Sequence, residues 1–347
     1  MRLVNRNNCL ASKQASKQAR DIYLDVLRGI AILIVVWGHS MQVCQGNSNN
    51  PVHLIIQSFQ MALLMVISGY TTGYSEPIDD ISLFIKKKVF RLFIPYLIWE
   101  QIHYFLVIIV ENRQYSLYEE VSSILNSNFW FLRILFVMYI LYALFQWGTK
   151  QISSIELKNA NIVLELIIAI GCIVIALSLS KINGLEELRS YIFFFAFGII
   201  LFRIKGRISK RLIQIIGKMS VFIFVALCVA FFKILNPVIH KVINKLLGFA
   251  GTIMILCGVR GIVNKNRNWK CWKYIAKIGK NTLPIYAIHW CLFFSINKLP
   301  YASIAKTSYT VYILSVGIWM VWVIMALFFT KILEKNKYTR ILLLGLK

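Results

Sequence analysis

The chain alternates between long apolar runs and short segments rich in lysine and arginine. Most of the runs, as helices, are long enough to cross a hydrocarbon core of about 30 Å. The pattern therefore predicts an all-α, polytopic integral membrane protein, a helical bundle with about ten transmembrane helices. The predicted spans cover residues 22–44, 53–74, 92–111, 129–147, 161–180, 188–203, 219–235, 246–263, 279–297 and 309–330.

The composition excludes an ordinary soluble protein. Of the 347 residues, 58% are hydrophobic and 15% are charged, whereas an average soluble domain has about 25% charged residues. A net charge of +25 would suggest nucleic acid as a partner of a soluble protein. Here the basic residues lie between apolar runs, so no nucleic acid is expected. The seven cysteines form no C-x-x-C pair, which predicts neither a metal site nor a disulfide framework.

The distribution of basic residues predicts the orientation of the chain. If the N-terminus faces the cytoplasm, roughly three quarters of the 39 Lys and Arg residues fall in inner segments, as the positive-inside rule requires. We therefore expect a multi-pass protein of the cell (cytoplasmic or inner) membrane, with both termini cytoplasmic and membrane lipids as partners. A basic tail at 1–20 would precede a transmembrane domain at 21–331 and a cytoplasmic tail at 332–347.

The first predicted helix carries ionisable residues, which are costly in a membrane and therefore indicate function. Asp25 and Arg28 form an i,i+3 pair. His39 returns to within about 20° of the face of Arg28 but lies about 16 Å further along the helix. Asp25 is therefore too far from His39 to orient it, and its expected partner is Arg28. The alternative is that Asp25 and Arg28 anchor the helix at the interface and that His39 packs between helices.

Further polar residues lie within or beside the other predicted spans. Small residues such as Ser68 and Gly69 more often mediate helix packing than ligand binding. A basic run at 86–88 is either a topology signal or a site for phosphates. The other candidates are Gln60, Tyr70, Arg91, Glu100, His103, Trp130, Arg133, Arg189, Asn281, Tyr286 and His289.

Six short motifs follow one another in a recognisable order. Arg28, ten residues and His39, within DVLRGIAILIVVWGHS, come first, followed by Ser68–Gly69–Tyr70, KKKVFRLFIPY, FWFLRILF, YIFFFAFG and IGKNTLPIYAIH. This order, from about Asp21 to His289, resembles membrane-bound acyltransferase family 3. It especially resembles the fucose 4-O-acetylase-like branch, whose members place acetyl groups on sugars.

The second helix departs from that branch. The branch usually has Phe-His-Met-Pro where this chain has Phe59–Gln60–Met61–Ala62. Glutamine forms hydrogen bonds but does not accept a proton as a base. A mechanism with two histidines is therefore not available through this position.

The resemblance implies an integral membrane O-acyltransferase. It would move an acetyl group from cytoplasmic acetyl-CoA to a sugar hydroxyl of a cell-surface or secreted glycan, or of its lipid-linked precursor. His39 would be the general base, with Arg28 and Asp25 in the catalytic set. The implied donor site comprises Lys87, Lys88, Arg91, Ser68, Gly69 and Tyr70, and the implied acceptor site comprises Gln60, Trp130, Arg189, Asn281, Tyr286 and His289.

Two other function classes fit the same helices and charges. One is a membrane transporter or flippase of lipid-linked sugars, and the other is a non-catalytic component of glycan export. Spans one to five and six to ten share no evident motif, whereas many transporters contain related halves. Only an enzyme would consume the thioester of acetyl-CoA.

Overall fold

The computed structural model describes residues 2–45, 50–75, 78, 80–153, 158–234, 236–265, 269–296 and 308–346. Within these ranges the regular structure is helical and there is no strand. The helices are α1 (Arg2–Gln45), α2 (Pro51–Thr72), α3 (Ile81–Lys88), α4 (Ile94–Glu111), α5 (Leu117–Leu125), α6 (Trp130–Ser153), α7 (Lys158–Leu179), α8 (Glu187–Ile204), α9 (Lys210–Lys233), α10 (Pro237–Lys265), α11 (Lys270–Lys280), α12 (Thr282–Ile296), α13 (Ser308–Glu334) and α14 (Lys337–Leu342). A 3₁₀ turn (Gly73–Ser75) follows α2, and a π-helical segment (Val89–Phe93) joins α3 to α4.

The prediction of an all-α polytopic membrane protein is confirmed. Among the described residues, seven helical segments are long and apolar enough to cross a membrane, and Val163–Leu179 and Thr282–Phe293 are shorter apolar helices. The remaining predicted span, 188–203, coincides with α8, which carries charges at both ends. Each predicted span therefore coincides largely with a helix.

The third span begins earlier than the sequence pattern predicts. Its helical segment runs over Ile81–Glu111, so the basic run at 86–88 is helical rather than a loop. Asp80 caps the start of α3, because its side chain accepts a hydrogen bond of 2.9 Å from the Leu83 N–H. No helix-breaking residue follows until Pro95, and the π-helical segment directly before it accommodates this proline.

The chain forms two compact units. The first unit comprises Met1–Ile67, Ile204–Ile285 and Ala302–Val323, and the second comprises Ser68–Arg203, Tyr286–Tyr301 and Ile324–Lys347. In the first unit, α1 packs on α10 and α11, and α9 packs on α10. In the second unit, α6 packs on α3 and α7, and α14 packs on α4 and the π-helical segment.

Glycines bring backbones together within the first unit. Gly29 of α1 lies against the carbonyl group of Ile275 in α11, and Gly279 of α11 lies against the carbonyl group of Asp25. A Cβ atom at either glycine would overlap backbone atoms of the other helix. Such small-residue contacts are typical of helix pairs in membranes, because close approach maximises van der Waals contact.

Several helices present large apolar side chains outward. Phe222 of α9 is 71% exposed and Ile313 of α13 is 75% exposed. In water such surfaces would be unfavourable, but in a bilayer they contact acyl chains. The exposed apolar faces are therefore consistent with membrane-spanning helices.

The turn that follows α14, which contains Gly345, packs against the π-helical segment before α4. Pro95 has no N–H, so the Arg91 carbonyl four residues earlier loses its α-helical donor. Gly345, with φ +62°, lies so close that an added Cβ would be 2.5 Å from that carbonyl oxygen. Trp99 fixes the same turn, because its indole Nε1–H donates to the Leu343 carbonyl at 2.9 Å.

We predict that Gly345→Ala lowers the stability of the protein. A left-handed backbone costs a residue with a Cβ about 1–2 kcal/mol, and the contact with the Arg91 carbonyl adds to that cost. The measurement is the thermal unfolding midpoint in detergent micelles. Gly206→Ala is the matched control, because a Cβ there has nothing within 4 Å. Equal midpoints for the two variants would contradict the role of Gly345.

Candidate active site

His39 lies half-buried on α1 with a hydrogen-bonding partner on its own helix. Its Nδ1 atom is 3.3 Å from Oε1 of Gln42, three residues later. An amide oxygen only accepts hydrogen bonds, so a hydrogen bond between these two atoms requires the tautomer with its hydrogen on Nδ1, in which Nε2 is the basic nitrogen. Gln42 was not predicted as a site residue, although its i+3 spacing from His39 was visible in the sequence.

Gln60 of α2 lies beside Gly38, the residue directly before His39. An added Cβ at Gly38 would be 2.6 Å from Oε1 of Gln60 and 3.2 Å from Cγ2 of Ile56. Gly38 therefore allows the Gln60 side chain of α2 to contact α1. The Oε1 atom of Gln60 is buried and accepts no hydrogen bond from any group in the described part of the chain. Such a buried acceptor is suited to binding a hydroxyl or N–H donor of a ligand.

Asp25 carries two basic partners. Its Oδ1 atom is 3.4 Å from Nη1 of Arg28, and its Oδ2 atom is 3.9 Å from Nζ of Lys280. Lys280 is the last residue of α11, the helix that contacts α1 through glycines. Asn281 is the C-cap residue of α11, and its side-chain amide donates a hydrogen bond to the Lys277 carbonyl at 3.2 Å. Arg28 is the partner that the sequence pattern predicts for Asp25, whereas Lys280 was not predicted.

The Ser68–Gly69–Tyr70 motif of α2 makes packing contacts. Gly69 lies against the backbone carbonyl of Phe195 in α8, where a Cβ would overlap that oxygen. The Tyr70 ring packs edge-on against Phe202 with ring centroids 5.5 Å apart. The Ser68 carbonyl accepts a hydrogen bond from the Thr71 hydroxyl. These contacts favour a role in helix packing for this motif.

The basic run occupies the end of α3. Lys86 and Lys87 are exposed, as is Arg91 in the π-helical segment. Lys88 instead lies over the ring of Tyr139, with Nζ 3.6 Å from the ring centroid. Such a cation–π contact orients an ammonium group. The exposed cations are therefore Lys86, Lys87 and Arg91 in this part of the second unit.

The remaining predicted residues belong to the second unit. Trp130 stacks on Tyr191, with ring centroids 5.2 Å apart. The Tyr286 hydroxyl donates to the Asn128 carbonyl at 3.4 Å, and the fully buried His289 ring lies 5.9 Å from the Tyr286 ring. Arg189 is exposed in the first turn of α8. Tyr286 and His289 therefore come together.

In the residues that the structure describes, no group of three or more His, Cys, Asp or Glu side chains could hold a metal ion. The histidines, carboxylates and cations described above can move a proton or bind a charged ligand. Asp25, Arg28, His39, Gln60 and Asn281 belong to the first unit, and the other predicted site residues belong to the second.

Comparisons with known proteins give one family match and one similar curated protein. Residues 21–329 match the sequence model of a family described as an acyltransferase domain. Nodulation protein NolL of Sinorhizobium fredii is 26% identical over 212 residues, which are 57% of this chain and 52% of that protein. The chain thus spans about half the length of this curated relative. No solved structure matches the chain.

We predict that Gly69→Ala destabilises the protein, because a Cβ at this position overlaps a backbone carbonyl that cannot rotate away. Overpacking of this kind typically costs about 1–3 kcal/mol. Thermal unfolding in detergent micelles measures the effect. Gly171→Ala in α7 is the matched control, since a Cβ there meets nothing within 4 Å. If Gly69→Ala unfolds at the wild-type temperature, the packing role is wrong.

Proposed function

The chain belongs to the acyltransferase family whose domain it matches over residues 21–329, and on this premise we propose that it moves an acetyl group from acetyl-CoA to a sugar hydroxyl. It is a membrane acyltransferase, and the acetyl donor, the sugar acceptor and the residues in the reaction are the proposed parts. The acceptor would be a cell-surface or secreted glycan or its lipid-linked precursor.

The hydrogen bond between His39 and Gln42 carries this proposal. An alcohol is a weak nucleophile near neutral pH and needs a base beside it. A neutral imidazole with its hydrogen on Nδ1 offers Nε2 as that base. Gln42 holds this tautomer, as a positioning residue, because its amide oxygen lies 3.3 Å from Nδ1.

The reaction proceeds by attack of the sugar oxygen on the thioester carbonyl. Nε2 of His39 takes the hydroxyl proton as the new C–O bond forms. The C–S bond then breaks, and the imidazolium returns the proton to the departing thiolate of coenzyme A. The products are the sugar acetate and free coenzyme A. Direct transfer is preferred here to an acyl-histidine relay, because it requires one fewer covalent intermediate.

Gln60 supplies an acceptor atom near His39. Its buried Oε1 atom adjoins Gly38 and would accept a hydrogen bond from the incoming sugar. A satisfied Oε1 atom would also remove the cost of burying a polar group without a partner. Gln60 thus binds and orients the acceptor but takes no proton, which leaves His39 as the base.

Cations would hold the donor. Coenzyme A carries phosphate groups, which lysine and arginine bind well. Lys87 and Arg91 are exposed, in a segment that the positive-inside rule assigns to the cytoplasm, where acetyl-CoA occurs. Arg28 lies beside Asp25 on the same helix as His39 and would guide the donor along that helix. The proposal places both termini in the cytoplasm.

We predict that His39→Ala abolishes transfer of labelled acetyl groups from acetyl-CoA to a glycan by the purified full-length protein in lipid nanodiscs. Removal of a general base typically costs about 10²–10⁴-fold in rate. His240→Ala is the control, because it removes an imidazole from α10 that is not assigned to the site. A folded His39→Ala protein with the wild-type rate would exclude His39 from the chemistry.

We predict that Gln42→Ala lowers kcat about tenfold and leaves the KM values of both substrates unchanged, since one hydrogen bond contributes about 0.5–1.5 kcal/mol. Gln42→Glu should restore most of the rate, because a carboxylate also accepts from Nδ1–H. Steady-state kinetics of both variants give the result. A raised acceptor KM with an unchanged kcat would mean that Gln42 binds substrate and does not orient the base.

The same assay separates the enzyme from the two other function classes. A flippase or a non-catalytic export component leaves labelled acetyl-CoA intact in the presence of glycans. Consumption of the thioester that depends on the acceptor is expected only of the transferase. Family membership already favours the transferase over both alternatives.

A further inference from the structure

Helix α5 carries polar and apolar side chains on different faces. Its apolar face is exposed and comprises Leu117, Val121 and Leu125. Four polar residues of α5 and its C-cap recur at i, i+3, i+4 and i+7, the spacing of one helical face; they are Glu119, Ser122, Ser123 and the C-cap Asn126. On this face Ser122 and Ser123 are half-buried and Glu119 and Asn126 are exposed, as expected of a polar face that borders a cavity open to the surface.

Such a cavity lies beneath this face, in the second unit. It has a volume of about 270 Å³ and lies between α4 and α5. Glu100 and His103 of α4 line it opposite the polar face of α5, and Asn128 lines it where α6 begins. The cavity is therefore bordered by carboxylate, hydroxyl, amide and imidazole groups.

Hydrogen bonds hold the two walls of the cavity in place at both ends. At the start of α5, the Tyr104 hydroxyl donates to the Ser116 carbonyl at 2.7 Å, and the Ser116 N–H donates back to it at 3.2 Å. At the other end, the Tyr96 hydroxyl donates to the Ile124 carbonyl. Arg133 donates to the same carbonyl at 2.8 Å. Fixed at both ends, α5 leaves a pre-formed space between them.

Glu100 contributes a buried carboxyl group to the lining. The residue is 1% exposed, and its Oε2 atom accepts a hydrogen bond from the Ser127 hydroxyl. Ser127 in turn accepts one from the Phe129 N–H at 2.9 Å. A buried carboxyl group held in this way presents a fixed acceptor, which a ligand donor satisfies.

The size and charge of the cavity select the ligand. Pockets for small molecules usually exceed about 300 Å³, so this one suits a single sugar-sized ring and not coenzyme A. Glu100, Glu119 and Arg113 all line it, and Arg113 is paired with Glu111 at 2.5 Å. The two carboxyl groups outnumber this one paired cation, which disfavours phosphate. The Tyr104 and Tyr118 rings line it as well and offer apolar surface to a sugar face.

The cavity lies at the opposite end of a helical segment from the basic run. Glu100 follows Lys88 by twelve residues in Ile81–Glu111, a separation of about 18 Å along the axis. If the basic end is cytoplasmic, as proposed, the cavity lies toward the outer surface, where an exported glycan is present. An anionic donor and an uncharged acceptor would then approach from opposite ends.

We propose that the cavity between α4 and α5 binds one sugar residue of the acceptor. The identity of this ligand as an acceptor rests on the proposed function, whereas binding of a sugar by the cavity does not. The sugar ring hydrogen-bonds to Glu100 and to the polar face of α5, in particular to Glu119.

The first experiment measures sugar binding by the full-length protein in nanodiscs. Saturation-transfer NMR with fucose, glucose and N-acetylglucosamine, each as the free monosaccharide, should detect binding of at least one. Glu119→Ala should weaken this binding at least tenfold. Glu120→Ala is the matched control, because it removes the same charge from the next residue of α5 but does not line the cavity. No binding to the wild type, or equal loss in the two variants, would overturn the inference.

The second experiment separates this inference from the proposed function. In the acetyl transfer assay, Glu119→Ala and Glu100→Gln should raise the acceptor KM at least tenfold and leave the KM of acetyl-CoA unchanged. An unchanged acceptor KM with active enzyme would overturn the acceptor site and leave the transferase intact. Sugar binding that is lost in Glu119→Ala, by a protein that transfers no acetyl group, would support the cavity and refute the proposed reaction.

Discussion

A polar group within the hydrocarbon layer must find its partner inside the protein, because lipid offers no hydrogen bonds. In the first unit, Asp25 meets this requirement with Arg28 and Lys280. The indole N–H of Trp319 meets it by donating to the Leu33 carbonyl at 2.9 Å. In the second unit, Arg133 donates to carbonyls at the end of α5. These contacts fix the segments that carry the candidate site.

The same constraint explains the bend before α4. Pro95 removes one N–H donor from a membrane helix, and the freed Arg91 carbonyl is buried by the C-terminal turn at Gly345. The bend has a consequence for the donor side, since Arg91 itself is exposed just where the helix departs from regular α geometry. Short π-helical segments often occur at functional sites. The proline thus links the fold of this segment to the proposed binding of phosphates.

Sequence patterns predicted the long elements well, because a membrane span has a strong and simple signal. They also predicted the partner of Asp25, since an i,i+3 spacing fixes two side chains on one helix face. They did not predict α5 or α11, whose polar and basic residues are typical of loops as well. In α11 the lysines alternate with Trp272, Ala276 and Gly279, which are buried, and only packing on α1 distinguishes this from a basic loop.

The parts of the site that the sequence did not predict depend on contacts between helices or on a cavity. Gln60 and Gly38 are far apart in the chain, and their contact follows from the packing of α2 on α1. The polar face of α5 indicates a ligand site only once Glu100 is known to line the same cavity. A loop with the same composition would simply be solvated. Spacing within one helix can therefore be predicted from the sequence, whereas a ligand cavity requires knowledge of which helices are neighbours.

Charge is sorted along the segment Ile81–Glu111 in a way that matches the proposed two-substrate reaction. One end carries Lys86 and Lys87 in exposed positions, and the other end carries the buried carboxyl group of Glu100. A topology signal alone would require the cations but not the carboxylate, since acidic residues contribute little to membrane orientation. Burial of Glu100 is costly unless it has a function or a compensating network. An enzyme that accepts an anionic donor from one side and an uncharged, hydroxyl-rich acceptor from the other needs both features, and it needs them at opposite ends.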